Sequence, residues 1–86
     1  MKEDAKRLKK IVGRRIRERR ADLDLSREAL AELIDVSNQY VAKCESGSQN
    51  VTIGTLVKFA NALQTTVVSL LTPTPKKALV EKTGSA

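Results

Sequence analysis

Leu8, Ile11, Val12 and Ile16 recur three to four positions apart, the spacing that lines up one stripe of a helix. Residues 5–20 therefore predict a first helix, apolar along one stripe and basic elsewhere. Glu3 and Asp4 precede it, where acidic groups suit the helix dipole. Gly13 falls off the stripe and is expected only to weaken the helix slightly. The connection 21–25 carries Leu23 and Leu25 as apolar anchors. Ser26 is a good N-cap, and 27–34 then reads as a short helix with Leu30, Leu33 and Ile34 turned inward. Asp35 interrupts it. Ser37 caps a third helix running from Asn38 to Glu45, with Val41 and Cys44 on one stripe. The run 46–50 is a loop by composition. Thr52 caps a fourth helix whose face is Ile53, Leu56, Val57, Ala60 and Leu63, broadened by Phe59. Residues 64–66 break it, and 67–71 form a last short apolar helix or turn.

Helical spacing throughout makes the domain all-α, with five helices between Ala5 and Leu71 and a domain boundary near residue 71. Pro73 and Pro75 disfavour helix at the residues before them, so 72–86 is expected to be a flexible tail. A chain of 86 residues forms one domain at most. Tyr40 and Phe59 are its only aromatic residues, so the core is aliphatic.

The charge is uneven. Residues 1–20 hold ten Lys and Arg against three Asp and Glu, a net +7, while the other 66 hold six against seven, a net −1. A basic first helix implies an anionic partner, either nucleic acid or an acidic membrane surface. That helix has no Trp or Phe on its apolar stripe and needs the stripe to close the core, which argues against a membrane. Exposed aromatic platforms of the kind that read single-stranded RNA are also lacking. Cys44 is the only cysteine and there is no histidine. An intrachain disulfide, the usual nucleophile–base pair and the usual zinc site are therefore all missing. No glycine-rich phosphate loop occurs. An enzyme, a metal and a cofactor are not expected. With no signal peptide and no apolar run of membrane-spanning length, the cytoplasm is the expected location.

Two short helices joined by a three- to four-residue turn form a helix-turn-helix unit, here over residues 26–45. Ala31 is small where the two helices pass closely. Asp35 occupies the tight turn, where a left-handed conformation is expected, and Val36 plugs the corner. At these residues the chain resembles the phage repressor and Cro-like (XRE-type) helix-turn-helix regulators, and the match runs from Ile11 to Leu71. The shared pattern is Leu25-Ser26, Leu30-Ala31, Val36-Ser37, Tyr40-Val41, Glu45-Ser46-Gly47 and Asn50, followed by Leu56, Ala60 to Leu63, and Leu70-Leu71. Regulators of restriction–modification systems are similar in size and in the stretch Asn50-Val51-Thr52-Ile53. The family usually has Gly where this chain has Asp35 and Gln64, a large aliphatic residue at Cys44, and a strong helix former at Gly54. These departures imply a less stable domain of the same fold.

The resemblance implies a compact five-helix, lambda-repressor-like domain. It also implies a dimeric transcriptional regulator, in the family commonly a repressor, on a pseudo-palindromic double-stranded DNA operator, with no small-molecule effector evident. It places Asn38 and Gln39 against base edges, and their amides can pair bidentately with adenine. Lys43 lies on the same face one turn on, within reach of a guanine or a phosphate, and Tyr40 is the fourth base-contact candidate. Arg27, Ser37, Asn50 and Thr52 are candidate phosphate contacts, because helix N-termini offer backbone N–H groups to phosphate. Of the arginines around the first helix, Arg17 is the one expected to meet the DNA backbone. Arg20 and Glu45 match positions that often form a partly buried ion pair. Val67, Val68, Leu70 and Leu71 exceed what one small core needs and are the expected dimer interface. A second reading keeps the DNA-binding domain but makes another polypeptide the main partner, as for an antitoxin or accessory protein, with the segment after Pro75 as its docking segment.

Overall fold

Five short-range polar closures start the five helices. The computed structural model describes residues 3–74. They form α1 (Ala5–Asp22), α2 (Arg27–Leu33), α3 (Asn38–Ser46), α4 (Ile53–Ala62) and α5 (Val67–Leu70), with no strand among the described residues. Asp4 accepts a hydrogen bond from the Lys6 N–H at the start of α1. Ser26, Ser37, Thr52 and Thr66 each accept from the N–H three residues on. One such cap stabilises by about 1 kcal/mol. That matters for helices of 4 to 10 residues, which would not persist alone in water.

The exits of α1 to α4 also share one geometry. Asp24 (φ 55°), Asp35 (φ 59°), Gly47 (φ 82°) and Gln64 (φ 56°) are all left-handed. Past each, the chain folds back through one hydrogen bond: Leu25 N–H to the Arg20 carbonyl (2.9 Å), Val36 to Ala31 (3.0 Å), Ser48 to Lys43 (3.1 Å) and Thr65 to Ala60 (2.9 Å). Glycine occupies only one of the four positions. α1 runs two residues past the expected end at 20, because nothing in Ala21-Asp22 stops it and Asp24 is the first residue to turn left-handed.

The core is Val12 and Ile16 of α1, Leu30, Ala31 and Ile34 around α2, Val41 and Cys44 of α3, Leu56, Phe59, Ala60 and Leu63 around α4, and Leu70 of α5. Four residues depart from the expected pattern. Leu33 is 62% exposed. Successive residues turn about 100°, and the inward stripe set by Leu30, Ala31 and Ile34 leaves Leu33 on the flank. Phe59 is fully buried and is the largest such side chain, so the inward face of α4 rotates toward it. Ile53 and Val57 are left exposed on the other flank. Leu70, expected at a dimer surface, is wholly buried and closes the core.

Gly13 also has a larger role than its position off the apolar stripe suggested. It is buried where α1 crosses α3, and a Cβ there would lie 2.4 Å from the Cys44 carbonyl oxygen and 2.5 Å from that of Glu45. The absence of a side chain sets the approach of these two helices. Arginines on the opposite flank of α1 brace the far end of the domain. Arg19 donates to the carbonyls of Leu63 (2.9 Å) and Gln64 (3.2 Å), where α4 ends. Arg15 donates to the Ser69 carbonyl (3.2 Å) and hydroxyl (3.1 Å) and to Glu18 (3.0 Å). Thr74 joins the last group through hydrogen bonds with Arg15 and Glu18, and the Thr72 hydroxyl donates to the Val68 carbonyl. The first residues of the expected tail are thus tied to the domain. Residues 75–86, with the docking segment of the antitoxin reading, lie outside the described residues.

Gly13→Ala should destabilise the domain by about 1–3 kcal/mol through overpacking, despite alanine's better helix propensity. At Gly54 an added Cβ meets nothing nearer than Thr52 Oγ1 at 4.0 Å, so Gly54→Ala should be neutral or stabilise by up to about 1 kcal/mol. Urea unfolding of the two variants checks both signs. A second expectation concerns Glu18. Partial burial alone would push its carboxyl up, but hydrogen bonds from Thr74 and Arg15, with the charges of Arg15 and Arg14, bring it below its ordinary value of 4.5. A depressed carboxyl stabilises the fold above the unfolded-state value, and that contribution fades as pH falls through the folded value. The gap in urea midpoint between the wild type and Glu18→Gln should therefore be widest near neutral pH and close below pH 4.5.

Candidate nucleic-acid interface

α2 and α3 are joined by Ile34, Asp35, Val36 and Ser37. Asp35 turns left-handed and Val36 is half-buried against the core, so the corner is filled and the two helices diverge from it. On α3, Val41, Cys44 and Glu45 point inward, whereas Asn38, Gln39, Lys43 and Ser46 are exposed. Gln39 and Lys43, four residues apart, share one face. Asn38 stands beside them in the first turn. Ser37 is exposed, and its hydroxyl oxygen is occupied by the Tyr40 N–H at 3.0 Å. The N–H groups of Asn38 and Gln39 precede the helical ladder and remain available to a ligand.

A second helix start has the same form. The Thr52 hydroxyl oxygen accepts the Thr55 N–H at 3.1 Å, which leaves the N–H groups of Ile53 and Gly54 ahead of the α4 ladder. Asn50 and Thr52 are exposed at this start, and elsewhere Arg27 at the start of α2 and Arg17 on α1 are exposed as well. Two helix starts that each keep two backbone N–H groups open beside the side-chain cap suit an extended anion whose oxygens repeat along a line.

Tyr40 differs from its neighbours. Its ring is half-buried against the core, and burial raises its hydroxyl above the ordinary value. It is therefore less available to a base edge than an exposed first-turn residue would be. Arg20 and Glu45 form a two-point pair, with Nε to Oε2 at 2.7 Å and Nη2 to Oε1 at 3.1 Å. Arg20 also donates to the Leu25 carbonyl at 2.9 Å. Glu45 is the one buried charged residue of the described core.

The charge of α1 is divided by this geometry. Arg15, Arg19 and Arg20 are turned to carbonyl and carboxylate groups of the protein itself. Arg14 sits at 3.5 Å from Glu18 on the surface, and Arg17 is exposed without an ion pair among the described residues. These internal braces, the inward packing of Tyr40 and the exposed Ile53–Val57 flank were not readable from the spacing of residues alone.

The packing defines a small all-helical protein that presents a helix-turn-helix unit at its surface. The helix-turn-helix family matches residues 16–70, and the chain belongs to this family of DNA-binding transcriptional regulators. It is 38% identical over 65 residues to control protein C.SmaI of Serratia marcescens, covering 76% of this chain and 77% of that protein. Among solved structures, the hypothetical transcription factor NHTF from Neisseria superposes with a TM-score of 0.77 at 26% identity, over 92% of this chain and 90% of that one. The restriction-modification controller protein C.AhdI from Aeromonas hydrophila superposes with a TM-score of 0.69 at 35% identity, over 72% of this chain and 94% of that one. No helix among the described residues is long and apolar enough to cross a membrane.

Cys44 lies beneath this surface. Burial pushes its thiol up to about 11, aided by the neighbouring Glu45 charge and opposed by a hydrogen bond from Tyr40. A thiol held protonated is a poor nucleophile. Labelling of Cys44 by a disulfide reagent at pH 8 should therefore be slow in the folded protein and immediate in denaturant.

Proposed function

We propose that this chain binds double-stranded DNA as a two-fold dimer and lays α3 in the major groove. The observation that carries this reading is the exposed first turn of α3, with Asn38, Gln39 and Lys43 on one outward face of a helix whose opposite face is fixed in the core. In this arrangement Asn38 and Gln39 read base edges, and Lys43 reaches a base or a phosphate. Arg27, Asn50, Thr52, Ser37 and Arg17 hold the backbone on either side. A single short helix reads few base pairs, so useful selectivity requires two copies. Val68 is 73% exposed on α5 and Leu71 is 37% exposed beside it. With the half-buried Val67 they supply an apolar face for the pairing, and the exposed Ile53 and Val57 of α4 add apolar surface that the core does not use. Two half-sites then lie about 34 Å apart. Similarity to C.SmaI and C.AhdI supports a narrower role as a controller of restriction–modification genes. In this reading the protein works in the cytoplasm, with DNA rather than a metabolite as its ligand.

Titration against cognate, single-mismatch and random duplexes at several salt concentrations tests the reading. Gln39→Ala should cost about 1–3 kcal/mol on the cognate site and relax discrimination at one position per half-site. Arg27→Ala should weaken cognate and random duplex alike and flatten the salt slope by about one unit for each phosphate that Arg27 neutralises. Identical profiles for the two variants would mean that α3 is not the reading helix. The pairing is tested separately. Val68→Glu should sediment as a folded monomer at concentrations where the wild type is dimeric, and it should lose tight operator binding. A wild type that stays monomeric at high micromolar concentration, with and without DNA, refutes the dimer.

A further inference from the structure

Exposure sorts the cations of α1 into two sets. Arg15, Arg19 and Arg20 are bonded to groups of the protein itself. Lys6, Arg7, Lys10, Arg14 and Arg17 are exposed. At about 100° per residue these five fall within one arc of about 100°, a ridge about 16 Å long. No acidic residue occurs between Lys6 and Arg17. Of the five, only Arg14 has an ion pair among the described residues, at 3.5 Å from Glu18 with its own side chain 71% exposed. The ridge is locally unfavourable. Lys6 and Lys10, like Lys10 and Arg14, stand four residues apart, and like charges at that spacing destabilise a helix. A face that only kept α1 in water would do better with mixed charges.

The ridge abuts the helix read as entering the groove. A Cβ at Gly47, the left-handed cap of α3, would lie 3.0 Å from Lys10 Cγ and 3.1 Å from its Cα. The stem of Lys10 therefore lies over the end of α3, and the residue stays exposed. Gly13, between Lys10 and Arg17, meets the Cys44 and Glu45 carbonyls. The ridge thus borders the C-terminal end of α3, whereas Asn38 and Gln39 start this nine-residue helix, about 13 Å long. With that start at the base edges, the ridge stands to the side of the base pairs being read. We propose that the outer ridge of α1 is a second, sequence-independent binding surface, which takes the phosphates of duplex DNA flanking the operator. This inference rests on the reading that α3 enters the major groove. Phosphates recur about every 3.4 Å along a strand, so the ridge matches about five of them. The apolar stripe of α1 is taken up by the core, with Val12 and Ile16 buried and Leu8 half-buried. A helix lying on a bilayer needs that stripe free.

The test compares two duplexes that carry the same half-sites, chosen by selection from random DNA. One is trimmed to the half-sites, and the other has about one helical turn of arbitrary sequence at each end, roughly 10 base pairs. The wild type should bind the flanked duplex more tightly and with a steeper salt slope. The triple variant Lys6→Gln, Arg7→Gln, Lys10→Gln leaves Arg14, Arg17 and all of α3 in place. It should match the wild type on the trimmed duplex and lose the gain from the flanks. Its salt slope on the flanked duplex should flatten by about 0.9 for each phosphate released, up to about three units per protomer. In urea at low salt it should be at least as stable as the wild type, because like-charge pairs have been removed. Lys6→Arg with Lys10→Arg should keep the gain from the flanks. Equal binding of the flanked duplex by the triple variant and the wild type would overturn the inference and make the ridge a solvated face. An equal loss on both duplexes would place these cations at the read stretch and overturn the flanking contact. Capture of the wild type by vesicles of anionic phospholipid, lost in the triple variant while flanked DNA is bound as before, would assign the ridge to a membrane instead. Gln39→Ala silent on both duplexes would remove α3 from the bases, and the flanking contact would fall with that reading.

Discussion

The crossing of α1 over α3 at Gly13 is the contact on which the rest of the arrangement depends. Carbonyl oxygens of Cys44 and Glu45 occupy the space a side chain would take, so backbone meets backbone and the helices have little freedom to slide or rotate. Two turns further along α1, Arg20 reaches the Glu45 carboxylate at two points and the Leu25 carbonyl at a third. Such a pair adds little to stability compared with an apolar substitute, because both charges must leave water. Removing one partner is costly, however, and the fork of the guanidinium permits few orientations. Close approach and forked pair together fix how α3 projects from the body. The exposed first turn then follows as the end that points away.

The short helices show how a small chain manages with little propensity. α5 has four residues and α2 has seven, lengths at which nucleation outweighs the few internal hydrogen bonds. Side-chain caps at their starts and fold-back bonds at the exits of α1 to α4 satisfy groups that would otherwise be left open. Three of the four left-handed exits are Asp24, Asp35 and Gln64, residues for which that conformation is less favourable than for glycine. They persist because Leu25 and Val36, just beyond two of the exits, are packed against the core. Arg19 also takes up the carbonyls at the third. Local strain is held in place by tertiary contact.

Legibility in the sequence followed the same division. Caps and apolar spacing are local, and they placed all five helices, with Ser26, Ser37 and Thr52 as starts. The inward faces were less readable, because Leu33, Ile53 and Val57 satisfy helical periodicity as well as their buried neighbours do. Only the position of Phe59 in the assembled core decides which flank is left outside. Gly13 was hardest to interpret. Its importance comes from carbonyls more than thirty residues away, and no local pattern encodes that. For the candidate interface, Asn38, Gln39 and Lys43 stand on the surface where their spacing puts them, whereas Tyr40 in the same turn is packed half-buried against the core.

Net charge is the property that the fold reinterprets most. Ten cations in the first twenty residues look like one basic face. Three of them, Arg15, Arg19 and Arg20, are turned inward to α5, α4 and α3. At such sites a guanidinium acts as a multidentate donor to open helix ends, a role that a lysine's point charge could not fill in the same geometry. Their charge still adds to the long-range field, but their donors are not free for phosphate. Screening limits that field to about 10 Å at 0.1 M salt, so close contact has to come from groups that reach the surface. Arg17, Arg27 and Lys43 are three such groups, and they belong to α1, α2 and α3. The cations that organise the domain and those free to meet DNA are thus different residues, although the sequence presents them as one run.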